Sequence, residues 1–88
     1  MPHHKSASKR LRQGEVRRQR NVHFRSTMRS AIKQVREALD KGDVDNAQKL
    51  LAEATQIIDA TQSKGVIHAR NASRKISRLT RAVNARIN

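Results

Sequence analysis

From Phe24 onward the chain places apolar residues at spacings of three and four: Phe24, Met28, Ala31, Ile32, Val35, Ala38 and Leu39. That rhythm puts them on one stripe of a helix, and such a stripe must be covered by a partner surface. Ala47, Leu50, Leu51, Ala54, Ile57, Ile58 and Thr61 form a second stripe and predict a helix near 44–62. A third stripe, Ala69, Ala72, Ile76, Leu79, Ala82, Val83 and Ile87, has a near-heptad rhythm. Between the first two lies Gly42-Asp43, a compact stop and restart. Gly suits the left-handed C′ position, Asp accepts backbone N–H bonds as an N-cap, and Asp45 is favourable in the following turn. Ser63-Lys64-Gly65 marks the second break. Three stripes joined by two tight turns predict an all-α fold, an antiparallel three-helix bundle.

Upstream of Phe24 the pattern changes. Leu11, Val16 and Val22 are isolated among Lys9, Arg10, Arg12, Arg17, Arg18 and Arg20, which surround the helix on all sides. Ser6 is a candidate N-cap, and only Gly14, a weak spot, interrupts the helical run before Gly42. The expectation is a continuous first helix over 6–41, roughly 54 Å long at about 1.5 Å per residue. Its front half has no core to join. The chain is therefore read as one domain, 1–88, with residues 1–23 a basic N-terminal arm and 24–88 the helical bundle. An isolated polar helix is marginal in water, and like charges repel along it. The free arm is expected to fray, and to become helical when phosphates screen Lys5, Lys9, Arg10, Arg12, Arg17, Arg18 and Arg20.

Charge sharpens this picture. Among 88 residues there are 20 Lys and Arg against 7 Asp and Glu, a net charge of +13. Residues 1–36 hold 11 basic and 1 acidic residue, 37–62 hold 2 and 6, and 63–88 hold 7 and none. A chain this short buries only a thin core, and self-repulsion on this scale calls for a polyanion to neutralise it. Nucleic acid is the leading candidate. Arg25, Arg29, Lys33 and Arg36 lie at helical spacing on the flank of the first stripe, and Arg70, Arg74, Arg78 and Arg81 lie opposite the third. Most acidic residues fall within 37–62, and the polar face of helix two, which carries Asp45, Glu53 and Asp59, is expected to meet solvent. This segregation favours a binding surface over a merely soluble one. Ser6, Ser8, Ser26, Ser63, Ser73 and Ser77 stand near basic residues, where hydroxyls can bond phosphate oxygens.

Several function classes drop out. There is no cysteine, which removes disulfides, thiolate zinc sites and cysteine nucleophiles, and fits a reducing compartment with the cytoplasm as default. The start lacks the apolar stretch of a secretory signal, and no run approaches the roughly 20 apolar residues of a membrane span. Phe24 is the only aromatic residue, whereas common single-strand readers stack bases on several rings. His3, His4, His23 and His68 show no metal-ligand spacing, and His68 is read as a hydrogen-bonding contact at the start of helix three. Asp40, Asp43 and Asp45 lack the Gly and terminal Glu of a calcium loop, and capping explains them. No Gly-rich phosphate loop or activated nucleophile is visible, so no enzyme, metal, cofactor or small-molecule substrate is expected.

The run Lys5-Ser6-Ala7-Ser8-Lys9-Arg10-Leu11-Arg12-Gln13, then Arg17-Arg18, Arg20-Asn21, Arg25-Ser26 and Arg29, resembles the bacterial small-subunit ribosomal protein S-twenty family. Gly42-Asp43 is similar to that family's first turn and Ile58-Asp59 to the end of its second helix. Lys64-Gly65-Val66-Ile67-His68 with Ala72, Arg74, Lys75, Ser77, Arg78 and Leu79 is similar to its third. The resemblance covers essentially the whole chain. It implies a three-helix bundle with an extended first helix, low on the small-subunit body, binding 16S ribosomal RNA directly alongside other small-subunit components. It also implies early entry into assembly and a tie between the 5′ domain and the long decoding-site helix of the 3′ minor domain. Together with the basic faces, it makes the expected RNA contacts Lys5, Ser6, Lys9, Arg10, Arg12, Arg17, Arg18, Arg20, Asn21, Arg25, Ser26, Arg29, Lys33, Lys64, Gly65, His68, Arg70, Asn71, Arg74, Lys75, Ser77, Arg78 and Arg81. Two departures stand. Ala69-Arg70-Asn71 occupies positions where the family usually reads Lys-Asn-Lys, and Gly14 replaces a more helix-favouring residue.

Three other classes compete. A DNA-compacting protein would carry apolar wedges or β-ribbon arms for the minor groove. A membrane-active or calmodulin-target helix would need Trp or Phe on its apolar face and would leave an acidic helix two unexplained. A bundle that binds another protein is the third. Preference for folded RNA over duplex DNA separates all three from the ribosomal reading.

Overall fold

The structure is a computed structural model that describes residues 2–87, with side chains over 7–87. Helix α1 spans Pro2–Asp40, α2 Val44–Ser63 and α3 Ala69–Ile87, and no strand occurs among the described residues. The all-α class and the three elements agree with the stripe pattern. The start of α1 does not. The helix begins at Pro2, so Ser6 lies inside it rather than capping it. Proline suits the first helical position because its φ is preset and its missing N–H would have no intrahelical acceptor there. The side chains of His3, His4, Lys5 and Ser6 lie outside the described residues. Gly14 does not break the helix, and a methyl group placed on it would meet no atom within 4 Å.

Both turns use one device. The Asp43 amide donates to the Ala38 carbonyl (2.9 Å) and the Gly42 amide to Leu39 (3.0 Å), with Gly42 at φ +76°. This pairing satisfies the last carbonyls of α1 through a left-handed residue that glycine adopts without a Cβ clash. Asp43 then opens α2: its Oδ1 accepts from the Asn46 amide (3.3 Å) and its carbonyl from Ala47 (2.9 Å). At the second turn the Val66 amide donates to Thr61 (3.1 Å) and the Gly65 amide to Gln62 (2.9 Å), again with φ +76° at the glycine. Val66 buries its side chain there, as residues after such caps commonly do.

The core runs along the three stripes: Met28, Val35 and Leu39 from α1, Ala47, Ala54 and Ile58 from α2, Ala72, Leu79 and Val83 from α3. Thr61 is wholly buried, and its hydroxyl donates to the Ile57 carbonyl (2.7 Å), so no orphan polar group accompanies it. Ala69 is exposed and Ile87 is 50% exposed, although both belong to the third stripe. Phe24, Leu50, Leu51, Ile57 and Ile76 are half-buried. Three helices enclose too little volume to cover the ends and edges of every stripe.

Helix α2 packs against both neighbours, while α1 and α3 touch sparingly. Its 20 residues, roughly 30 Å at about 1.5 Å each, can cover only the later half of the 39-residue α1. Every residue from 7 to 20 is exposed as a result. The molecule measures 67 × 22 × 14 Å. Its radius of gyration, 17.7 Å, exceeds the roughly 12 Å of a compact chain this long, and the bare half of α1 accounts for the excess.

Candidate nucleic-acid interface

The arm displays Lys9, Arg10, Arg12, Arg17, Arg18 and Arg20 to solvent, with Leu11 75% and Val16 64% exposed between them. Within it the lone acid Glu15 is engaged. Arg18 donates to it through Nη2 (2.7 Å) and Nε (3.1 Å), and Gln19 adds a longer bond (3.4 Å). The Arg18 hydrogen bond, followed by its charge, holds the Glu15 carboxyl below its ordinary value, and the same pair raises Arg18. Arg18 is thus neutralised in part, while Arg17 has no such partner among the described residues.

In the bundle, α2 lies along one flank of α1, where Ser26, Thr27, Ser30, Ala31, Gln34 and Ile57 line a shallow recess. The opposite flank faces α3 and is basic. Arg25 and Arg29 of α1 look across a cleft of about 380 Å³ at His68, Asn71 and Lys75, above a floor of Met28, Ile32, Val66 and Ile67. Arg25 Nη2 donates across it to the Val66 carbonyl (3.5 Å). Further along the same seam Arg36 and Arg86 flank Leu39, Asp40 and Ala82. Arg70, Arg74, Arg78 and Arg81 are exposed on α3, on the side away from Leu79 at about 100° per residue. The exposed acids Asp45, Glu53 and Asp59 sit on α2. Cations therefore predominate along the arm and the α1–α3 seam, where Glu15 and Asp40 are the acids, while α2 carries Asp45, Glu53 and Asp59 behind its cap Asp43.

His68 closes the start of α3. Its Nδ1 accepts from the Arg70 amide (3.1 Å) and its carbonyl from Ala72 (3.1 Å). An Nδ1 that accepts leaves the ring proton on Nε2, where it can donate outward. The sequence-based expectation of a hydrogen-bonding His68 at this position agrees with that geometry.

The model of the family "Ribosomal protein S20" matches residues 2–84. The small ribosomal subunit protein bS20 of Geobacter sulfurreducens is 54% identical over 84 residues, covering 96% of this chain and 97% of that protein. The bS20 proteins of Geotalea daltonii and Geotalea uraniireducens are 55% and 56% identical with the same coverage. The chain belongs to the ribosomal protein S20 family. That family is one of ribosomal structural proteins and not of enzymes. In this S20-family chain no group of three or more His, Asp or Glu capable of holding a metal occurs among the described residues. No described helix is long and apolar enough to cross a membrane.

The fold gathers Arg25, Arg29, His68, Asn71 and Lys75 around one cleft, although Arg29 and His68 are 39 positions apart. It sets others apart. Ser26 lies on the α2 flank. Lys33 is turned about 80° around α1 from Arg25 and lies 3.9 Å from Glu37. Lys64 and Gly65 are exposed at the second turn, and Ser77 is half-buried. Asn21 is half-buried at the root of the arm, its amide oxygen shielded without a partner among the described residues. Periodicity placed Met28 and Ile32 on the first apolar stripe but gave no sign that they join Val66 and Ile67 in one cleft floor, and it did not single out Arg86. Lys75 and Arg86 sit four before and seven after Leu79, on the line of the stripe itself. A pattern rule assigns such positions to the core, whereas long basic chains lay their stems on apolar surface and keep the charge in water.

Proposed function

We propose that this S20-family chain is a structural constituent of the small ribosomal subunit that binds 16S ribosomal RNA directly and supports assembly of the subunit in the bacterial cytoplasm. The observation that carries this reading is the bare arm: a helix ringed by cations, with no buried face, has no folding role that would justify its repulsion. The working division is an arm over 1–23 and a bundle over 24–88. In the arm, Lys5, Ser6, Lys9, Arg10, Arg12, Arg17, Arg18, Arg20 and Asn21 meet phosphates on several sides at once. In the bundle, Arg25, Arg29, His68, Asn71 and Lys75 bind along the seam, with Arg70, Arg74, Arg78 and Arg81 on the adjoining face. Ser26, Lys33, Lys64, Gly65 and Ser77 complete the proposed set at its margins.

Contacts of this kind fix position and register through phosphates and sugars and do not read base sequence. An arm and a bundle presenting cations along a 67 Å molecule suit two RNA segments held at once, here the 5′ domain and the 3′ minor domain. RNA closes on the arm because released counterions supply the favourable free energy. Helix two, with its acids, is left outside.

The test is whether the native protein sediments with small subunits through a moderate-salt gradient, joined to direct binding of naked 16S rRNA. Co-sedimentation and a preference for folded rRNA over duplex DNA at physiological salt are expected. Protein left at the top of the gradient, or equal affinity for duplex DNA, would overturn the proposal.

A further inference from the structure

We propose that the cleft between α1 and the start of α3 holds one unpaired nucleotide of the bound RNA, its base laid on Met28, Ile32, Val66 and Ile67 and its phosphate held by Arg29 and Lys75. The inference rests on the reading of the chain as an RNA-binding protein and names what one part of that interface takes.

The rim of the cleft is made almost entirely of donors. Arg25, Arg29 and Lys75 can only donate, and His68 presents Nε2–H because its Nδ1 is occupied by the Arg70 amide. Only Asn71 offers both a donor and an acceptor, which is what the edge of a base requires. Four positively charged or donating groups around one opening select an anion. The floor selects something else: Met28, Ile32, Val66 and Ile67 are wholly apolar. An occupant must therefore carry an anionic end and a flat apolar body side by side.

An inorganic phosphate satisfies the rim and leaves the floor wet. A-form RNA does the same, since its bases are stacked inward and its surface presents phosphates and 2′-hydroxyls. A nucleotide turned out of its stack offers both parts at once, and bases splayed in this way are what proteins read in folded RNA. The volume agrees. The cleft is open to solvent, and its volume of about 380 Å³ leaves room for one base to lie on the floor with its phosphate at the rim. Arg25 reaches toward the Val66 carbonyl in a long contact (3.5 Å), and a guanidinium has further donors and a plane on which a base can stack. Met28, 3% exposed, and Val66, 7% exposed, are the most covered residues of the floor.

The experiment compares the full-length parent with Ile67→Ser and Lys75→Gln, each bound to 16S rRNA and probed with reagents that modify the Watson–Crick edges of unpaired bases. Circular dichroism first establishes that each variant is as helical as the parent. Lys75→Gln alters a half-buried side chain at the rim, so it remains informative if Ile67→Ser does not fold. One unpaired base protected by the parent is expected to become reactive in the variants, while overall affinity falls only by about threefold to tenfold. If affinity falls and no unpaired base changes its reactivity, the cleft is grasping duplex phosphates and the proposal fails. A cleft filled by another protein's side chain or by solvent would leave both affinity and reactivity unchanged, and that result also overturns it. Both failures leave the RNA-binding reading intact. Failure of the parent itself to bind rRNA would remove that reading and this one together.

Discussion

The pairing of Glu15 with Arg18 makes the arm a place where three substitutions give three different salt dependences. Each phosphate neutralised on a duplex contributes about −0.9 to the slope of log K against log salt, and on a single strand about −0.7. Arg17 is exposed and has no ion-pair partner among the described residues, so Arg17→Gln should make the slope shallower by about 0.7 to 0.9. Between 50 and 200 mM salt, one such contact changes affinity by roughly threefold. Arg18 begins partly neutralised, bonded to Glu15 at 2.7 and 3.1 Å, and must loosen that pair to serve a phosphate. Arg18→Gln should therefore cost less affinity than Arg17→Gln. Glu15→Gln frees Arg18 and removes the one carboxylate of the arm, so binding should tighten and the slope steepen by up to about 0.9. Fluorescence anisotropy of labelled rRNA, repeated at five or six salt concentrations, measures all three. Equal slopes for the parent, R17Q and E15Q would take the arm out of the interface and refute the reasoning.

Leu79 is 2% exposed, so Leu79→Ala should cost about 2–5 kcal/mol in urea unfolding, and rRNA should restore lost helicity by mass action, whereas Ile87→Ala, at 50% exposure, should change stability little. If L79A unfolds at the parental midpoint, the core is misassigned. Gly14→Ala has open space around its Cβ and should stabilise the arm helix by up to about 1 kcal/mol, read as increased helical ellipticity. Acidification should weaken the arm: the Glu15 carboxyl lies below its ordinary value in the folded chain, so its pair with Arg18 persists at neutral pH and is lost as pH falls through that lowered value. Helical ellipticity should drop in that window in the parent and not in E15Q. Hydrogen exchange should show arm amides weakly protected in free protein and protected on rRNA, with amides near Val35, Leu51 and Ile76 protected in both. Arm amides already protected without RNA would mean that the first helix is stable by itself.

Legibility differed between elements for physical reasons. The two turns could be read because Gly42-Asp43 and Lys64-Gly65 answer local needs, a left-handed residue and a cap, that do not depend on the rest of the chain. The start of α1 lies four residues before Ser6, at Pro2, where a preset φ suits the first helical position and no side-chain cap at Ser6 is needed. The exposure of the arm's cations was legible because no apolar stripe is there to be covered. Those of the bundle were legible only as a face on each helix.

The sequence by itself determined three amphipathic helices, their order, the two places where the chain reverses, and the separation of acid from base along it. Periods of three and four residues and local capping chemistry are properties of neighbouring residues, so they survive without any knowledge of packing. Tertiary structure decided which flanks meet. With α2 packed against both α1 and α3, the seam between α1 and α3 is left to the basic side chains of both. Arg29 and Lys75, 46 positions apart, come to line one cleft over an apolar floor. No helical period carries that information, because it depends on how three helices rotate about their axes to bury small residues such as Ala47, Ala54 and Ala72 most closely.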